Sequence, residues 1–256
     1  MSGNDANTVL LLHCNGIDES TDFPDDSVGG TTHELTAHGE AQVDTALKKF
    51  GTGSAYFDGS GNDYLTAPDH ADWTFGSDDF TVDFWIYHLI DNRLESVVAH
   101  WGTGSIGWTI ATNHSGTHPG EFYIYWKDAD GDQYNINVGS YPLNEWAHVA
   151  FVRSGDTLYI YGNGIRATVG TITGAMNNST GPITIGMLLS SQWFTGYLDE
   201  LRISKGIARW TAESFDVPTK EYSEVPPGWT GKLLGVTNPA KVMGIAVANI
   251  SKVMGV

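Results

Sequence analysis

The stretch Gly196-Tyr-Leu-Asp-Glu-Leu-Arg-Ile-Ser204 reads as a β-strand with a carboxylate set among apolar residues. Side chains alternate across a strand, so Tyr197, Asp199, Leu201 and Ile203 fall on one face and Leu198, Glu200 and Arg202 on the other. Placing the first set against the core puts an ionised group where a bare charge is costly. Such a group must be paired, hydrogen-bonded or bound to a metal. A hard, oxygen-liking cation such as Ca²⁺ would resolve it. The alternative buries the opposite face and leaves Asp199 solvated or paired with an arginine.

Similar strand signals recur along the chain, bounded by Gly, Asn, Asp and Pro. Val82, Phe84 and Ile86 alternate with Thr81, Asp83, Trp85 and Tyr87. Val149 and Phe151 alternate with His148, Ala150 and Val152. Leu158 and Ile160 lead into Gly162-Asn-Gly164, a hairpin signature. Segments 121–127 and 133–138 flank Asp128-Ala-Asp-Gly-Asp132 and predict another hairpin. Its acids miss the EF-hand spacing: Gly stands fourth, and Gly139 occupies the twelfth position. The single helical expectation is one turn over Asp69–Trp73. The pattern predicts an all-β, two-sheet antiparallel sandwich.

Five segments in order carry a family resemblance: Gly51-Thr-Gly-Ser-Ala-Tyr-Phe-Asp-Gly59, Asp79-Phe-Thr-Val-Asp-Phe-Trp-Ile-Tyr87, Glu145-Trp-Ala-His-Val-Ala-Phe-Val-Arg153, Tyr159-Ile-Tyr-Gly-Asn-Gly164 and Tyr197-Leu-Asp-Glu-Leu-Arg-Ile203. Over about residues 7–222 the chain resembles the concanavalin A-like, laminin-G-like jelly-roll superfamily in its pentraxin-like branch. The resemblance implies a jelly roll of two curved sheets. It also implies a calcium ion where the N-terminal segment, a Gly-rich loop and a late-strand Asp meet. Carried over by position, that Asp is Asp199, with carbonyls around Gly53 and the turn at Asp25 and Asp26 as companions. The glucanase members' Glu-x-Asp-x-Glu strand does not occur in this sequence, so their paired-carboxylate hydrolysis has no carrier.

Thirteen basic residues stand against 30 acidic ones, a formal charge of −17 that argues against nucleic acid as a partner. The lone Cys14 excludes an intrachain disulfide and sits in an apolar run, as a buried, inert thiol would. Neither a signal peptide nor an apolar run long enough for membrane insertion is evident. The expected location is a virion surface or another extracellular setting.

Beyond Tyr222 the composition changes. Residues 223–256 read as a linker followed by an apolar tail with three related motifs: Lys232-Leu-Leu-Gly-Val236, Lys241-Val-Met-Gly-Ile245 and Lys252-Val-Met-Gly-Val256. Too short for a core of its own, the tail is expected to dock or to join chains into a homo-oligomer. Such repeats resemble those ending some phage structural proteins.

Sugar rings stack on exposed aromatic faces while Asn, Asp and His bond their hydroxyls. The richest mixture of such residues is Trp101, Trp108, Asn113, His114, His118 and Trp126, the expected ligand-binding set. His114 and His118 share an HxxxH interval, but Gly116 and Pro119 oppose the helix that would align them on zinc. Neither a Gly-x-Ser-x-Gly elbow nor a Walker loop appears. These readings converge on a non-enzymatic virion surface protein (tail fibre, tail tip or capsid decoration) that binds surface glycans and other virion subunits. The rivals are a secreted carbohydrate-binding module and a polysaccharide hydrolase or lyase.

Overall fold

The computed structural model describes residues 3–89, 93–102, 107–112, 121–128, 130 and 141–223, together with the backbone of 106, 113, 133–138, 232–233, 236–237, 241–242 and 245–246. Its first fifteen strands are β1 (Thr8–Leu12), β2 (Thr36–His38), β3 (Gln42–Asp44), β4 (Ser54–Phe57), β5 (Tyr64–Ala67), β6 (Phe80–His88), β7 (Glu95–Gly102), β8 (Ile106–Asn113), β9 (Glu121–Lys127), β10 (Gln133–Val138), β11 (Trp146–Ser154), β12 (Thr157–Gly162), β13 (Ile165–Thr171), β14 (Ile183–Ile185) and β15 (Gly196–Lys205). A 3₁₀ turn spans Ala71–Trp73, where the sequence predicts a helical turn. Two antiparallel sheets result. One runs β13-β12-β11-β6-β15-β4-β3 with β1 also on β15, and the other runs β10-β9-β8-β7-β14-β5-β2. This is the two-sheet antiparallel sandwich expected from the alternation, and the jelly roll that the resemblance implies.

The core lies between the sheets. Val82, Phe84 and Ile86 of β6 and Phe151 of β11 meet Trp108 and Ile110 of β8 and Phe122, Ile124 and Trp126 of β9. The turn after β12 follows the Asn-Gly rule: Asn163 and Gly164 both have positive φ, 48° and 76°. Segments β9 and β10 pair from Gln133↔Lys127 to Val138↔Phe122, the second predicted hairpin.

The outer face of the first sheet is also buried. Trp210 and Phe215 stack with centroids 4.0 Å apart and pack on Ala150, Val152 and Tyr161. Beneath this cover lies a polar network. Arg202 donates to both oxygens of Asp83, at 2.9 and 3.2 Å, and to the Gly3 carbonyl at 2.9 Å. Tyr222 also donates to Asp83, and its ring lies 3.7 Å below the guanidinium. Burial on both faces explains why β6 reads as a near-continuous apolar run.

The face assignment for β15 needs correction. Against β6, Asp199 lies opposite Trp85 and Arg202 opposite Asp83, so three steps on β15 match two on β6. The extra residue is a β-bulge at Glu200, whose φ is +52°. Leu198, Leu201 and Ile203 therefore all reach the core. Asp199 and Arg202 point to the outer face. Asp199 does not share the core face with Leu201, because the bulge flips the parity between them.

Residues Met1–Tyr222 and Ser223–Val256 form two compact units. In the second, Lys232–Leu233 pairs with Val236–Thr237 and Lys241–Val242 with Ile245–Ala246. Two of the three tail motifs thus contain a small antiparallel pair; the third, at 252–256, lies outside the described residues.

Candidate functional site

Two places on the sandwich bring together side chains with ligand chemistry. The first is a hollow on the outer face of the second sheet, with a volume of about 330 Å³. In β9, Phe122, Ile124 and Trp126 turn inward, so Tyr123, Tyr125 and Lys127 must face out. Register continues the hollow's floor: Tyr125 pairs with Thr109 of β8, and the Trp101 ring of β7 lies 5.3 Å from that of Tyr125. Leu188, Leu189 and Gln192, from the loop after β14, form the wall. Burial pushes the Tyr123 hydroxyl up to about 12, so it stays a neutral hydrogen-bonding group.

Glu95 anchors that wall. Buried completely, it accepts hydrogen bonds from His88 Nε2 (2.7 Å), Arg93 Nε (2.8 Å), and the Thr195 amide (3.1 Å) and hydroxyl (3.0 Å). Of the lining residues, Trp101 and Gln192 each keep a buried polar atom, Nε1 and Oε1, without a protein partner. Aromatic faces on residues that keep one unpaired donor and one unpaired acceptor have the chemistry to suit a hydroxylated ligand.

Of the described residues in the predicted ligand set, Trp101 alone lines this hollow. Trp108 and Trp126 are 1 % exposed and belong to the core, contrary to expectation. Strand parity places them there: both share a face with Ile110 or Ile124. His114, His118 and the Asn113 side chain lie outside the described residues. Tyr123, Tyr125 and Gln192 were missed. The alternation in Glu121-Phe-Tyr-Ile-Tyr-Trp-Lys127 marks the tyrosines as outward. Gln192 has no local signal, because it arrives from a distant loop.

The second place surrounds the bulge. Asp199 is fully buried; its Oδ2 accepts the amides of Lys49 (2.8 Å) and Phe50 (3.0 Å), while Oδ1 has no protein partner. Burial pushes its carboxyl up to about 7, against those two hydrogen bonds and with help from Glu200 and Glu221. Glu200, also fully buried, contacts His13 Nδ1 at 2.5 Å and accepts the Tyr222 amide at 2.7 Å. Burial works against a charge on His13, yet its hydrogen bond to Glu200 and that group's charge hold it above the usual histidine range. Asn15 donates to Glu221 at 2.5 Å. Here Gly51 has φ +53°, and a Cβ on it would stand 2.1 Å from Asn15 Oδ1 and 2.2 Å from Glu221 Oε1.

Asp25 is not a free ligand. Its carboxylate accepts the amides of Leu11, Ser27 and His33 and so organises its own loop. Asp26 lies near enough to feel His13 and Glu221 electrostatically. A Cβ on Gly53 would stand 2.5 Å from Val43 Cγ1 and 3.2 Å from the Asp44 and Cys14 carbonyls, so only glycine fits there. The cluster therefore centres on His13, Glu200 and Glu221, whose ligand atoms lie within 4.8 Å of one another. Cys14 is buried, and burial raises its thiol well above the ordinary range, as an inert role requires. Among the described residues no helix is long and apolar enough to cross a membrane.

Residues 58–210 match the family model for the concanavalin A-like lectin/glucanases superfamily, Laminin_G_3. The chain belongs to that superfamily. No curated protein matches it in sequence. Among solved structures this lectin-like domain is similar to the botulinum neurotoxin serotype G binding domain, with a TM-score of 0.62 at 15% identity over 78% of this chain and 48% of that one. It is also similar to domain 4 of AbnA, a GH43 extracellular arabinanase from Geobacillus stearothermophilus in complex with arabinotriose (TM-score 0.59, 18% identity, 79% of this chain and 94% of that one). A third is the binding domain of botulinum neurotoxin DC in complex with SialylT (0.57, 16%, 78% and 48%). The chain spans about half the length of the toxin binding domains. At these identities the likeness establishes the lectin-like fold.

Proposed function

We propose that this chain is a non-enzymatic glycan-recognition module and that its sugar sits in the hollow on β7, β8 and β9. The observation carrying this reading is the pairing of aromatic faces, Trp101 and Tyr125, with two buried unpartnered polar atoms, Trp101 Nε1 and Gln192 Oε1. Among the described residues, the hollow's lining has no carboxylate. That favours binding over glycoside hydrolysis, which uses two carboxyl groups across the scissile bond. The sugar complexes of lectin-like domains such as that of the arabinanase support the same chemistry.

A glycan array followed by titration calorimetry tests it. Trp101→Ala and Tyr125→Ala are each expected to weaken a bound glycan about tenfold or more, the cost of truncating a central aromatic contact. Tyr159→Ala, on the other sheet, serves as the control. Binding that ignores both hollow substitutions would sink the proposal.

A divalent cation, calcium by its oxygen-rich surroundings, belongs to this reading as a structural group. Glu200 and Glu221 would hold it, with Asp199 behind them. The fit rests on the orphaned Asp199 Oδ1 and on the negative excess of Asp26, Asp199, Glu200 and Glu221 over His13. Bound there, the cation would neutralise these carboxylates and tie the N-terminal segment to β15.

The setting we favour is a virion surface, with the apolar repeat tail joining copies and other virion subunits. Likeness to a complete domain of an extracellular arabinanase supports a second setting, an accessory module of a secreted polysaccharide-active enzyme. Light-scattering mass separates them. An oligomer that becomes monomeric when the chain stops at Ser223 supports the virion assembly. A monomer in both forms points to the secreted module.

A further inference from the structure

A second cluster lies away from both places just described, where the Asp25-organised loop meets the 3₁₀ turn. Among the described residues, His33, His70 and Asp72 each offer a ligand atom, all within 4.8 Å of one another. Each is held by the fold. The His33 amide is fixed to Asp25 at 2.9 Å, and its ring packs on Trp73 with centroids 4.3 Å apart. His70 caps the turn: its Nδ1 accepts the Asp72 amide at 3.2 Å. Trp73 is itself anchored, by its indole N–H on the Pro68 carbonyl.

Two imidazole nitrogens converge on one oxygen. His33 Nε2 and His70 Nδ1 each stand 3.0 Å from Asp72 Oδ2. No tautomer of His70 satisfies both of its contacts. Unprotonated, the Nδ1 lone pair faces a carboxylate oxygen; protonated, it turns a hydrogen toward the Asp72 amide N–H. A cation removes the first conflict, because it draws on nitrogen and oxygen lone pairs alike; the Nδ1 lone pair then turns from the Asp72 amide to the ion. Tetrahedral zinc at about 2.0–2.2 Å from N and O ligands holds neighbouring ligand atoms roughly 3.3–3.5 Å apart. The two nitrogen–oxygen separations reach that from 3.0 Å by a small outward shift, and the nitrogen–nitrogen separation lies within 4.8 Å.

From this geometry we infer that His33, His70 and Asp72 form a binding site for a borderline transition-metal ion such as Zn²⁺, independent of the sugar and calcium readings. Imidazole nitrogens select zinc, nickel or cobalt over calcium. The His33 residue is 8% exposed and the His70 side chain 39% exposed, so the ion enters from the His70 side. There the site borders a cavity of about 490 Å³ lined by Asp69, His70 and Lys205 among others. Three protein ligands leave at least one position for water or a ligand atom. The ion would staple the 25–33 loop to the turn that carries Trp73 into the core.

The test uses the full chain without a histidine tag, titrated with Zn²⁺ by calorimetry and with Co²⁺ by visible absorption. One ion per chain is expected, unaffected by excess Ca²⁺, with Co²⁺ bands of a nitrogen-containing low-coordinate site. His70→Gln and Asp72→Asn, both at partly exposed positions, are each expected to weaken binding at least tenfold without altering far-UV circular dichroism. His13→Gln, in the cluster at the bulge, should leave it within twofold. Absence of saturable binding overturns the inference. So does binding that is lost with His13→Gln to the same degree as with His70→Gln.

Discussion

Arg202→Met is expected to lower the unfolding free energy of the sandwich by about 3–5 kcal/mol, read as a fall in the urea midpoint at pH 7. The reason is the charge it leaves behind. Asp83 is fully buried, and Arg202 supplies its bidentate partner. Tyr222 and His148 also lie on Asp83, but neither is a permanent cation. Burial alone would raise the Asp83 pKa; the Arg202 charge, followed by His148 and Tyr222, holds it at about 2. The pair's contribution is therefore complete above the ordinary carboxylate value near 4 and is lost as pH falls toward 2, by about 2 kcal/mol. Replacing both partners, Asp83→Leu with Arg202→Met, should cost less than the sum of the single changes, because no bare charge remains. A single Arg202→Met variant within about 1 kcal/mol of the parent would contradict this account.

Asp199 predicts the opposite slope in a different pH window. Its folded pKa of about 7 lies above the ordinary aspartate value of 3.8. Between those values the native state keeps a proton that the unfolded chain has released, so stability falls as pH rises from about 4 to about 7 and is level above. The shift corresponds to about 4 kcal/mol at most, order of magnitude only. In chelator, the parent protein should lose urea resistance over that range while Asp199→Asn shows a flattened slope. Added Ca²⁺ at pH 8 should restore the parent, because a cation takes over the role of the proton. Parent and Asp199→Asn curves with equal slopes would remove Asp199 from the explanation. Indifference to both chelator and calcium would remove the cation.

Much of the scaffold could be read from local pattern. The alternations in β6, β9, β11 and β12 have the period of a strand, and a strand has only two faces, so parity says which residues pack. Asn163-Gly164 marks a hairpin because Gly, and to a lesser degree Asn, tolerates positive φ. The site was less legible. Composition groups Trp108 and Trp126 with Trp101, although the parity of β9 assigns Trp126 to the core beside Ile124. Composition within a window ignores which face a residue occupies.

The bulge at Glu200 was illegible for a different reason. Nothing in Leu198-Asp-Glu-Leu201 announces an extra residue; it shows only when β15 is paired with β6. One inserted residue moves Asp199 off the core face while returning Leu201 to it. The same shift points Arg202 at Asp83. By itself, the sequence determined the all-β class, most strand faces, the turn chemistry and the superfamily, because each depends on period, parity and local backbone preference. Only the tertiary structure decided which residues share a site. Gln192 reaching Trp101, Glu221 reaching Glu200 and His33 reaching Asp72 are encounters across long stretches of chain, set by sheet pairing and loop packing and carried by no local pattern.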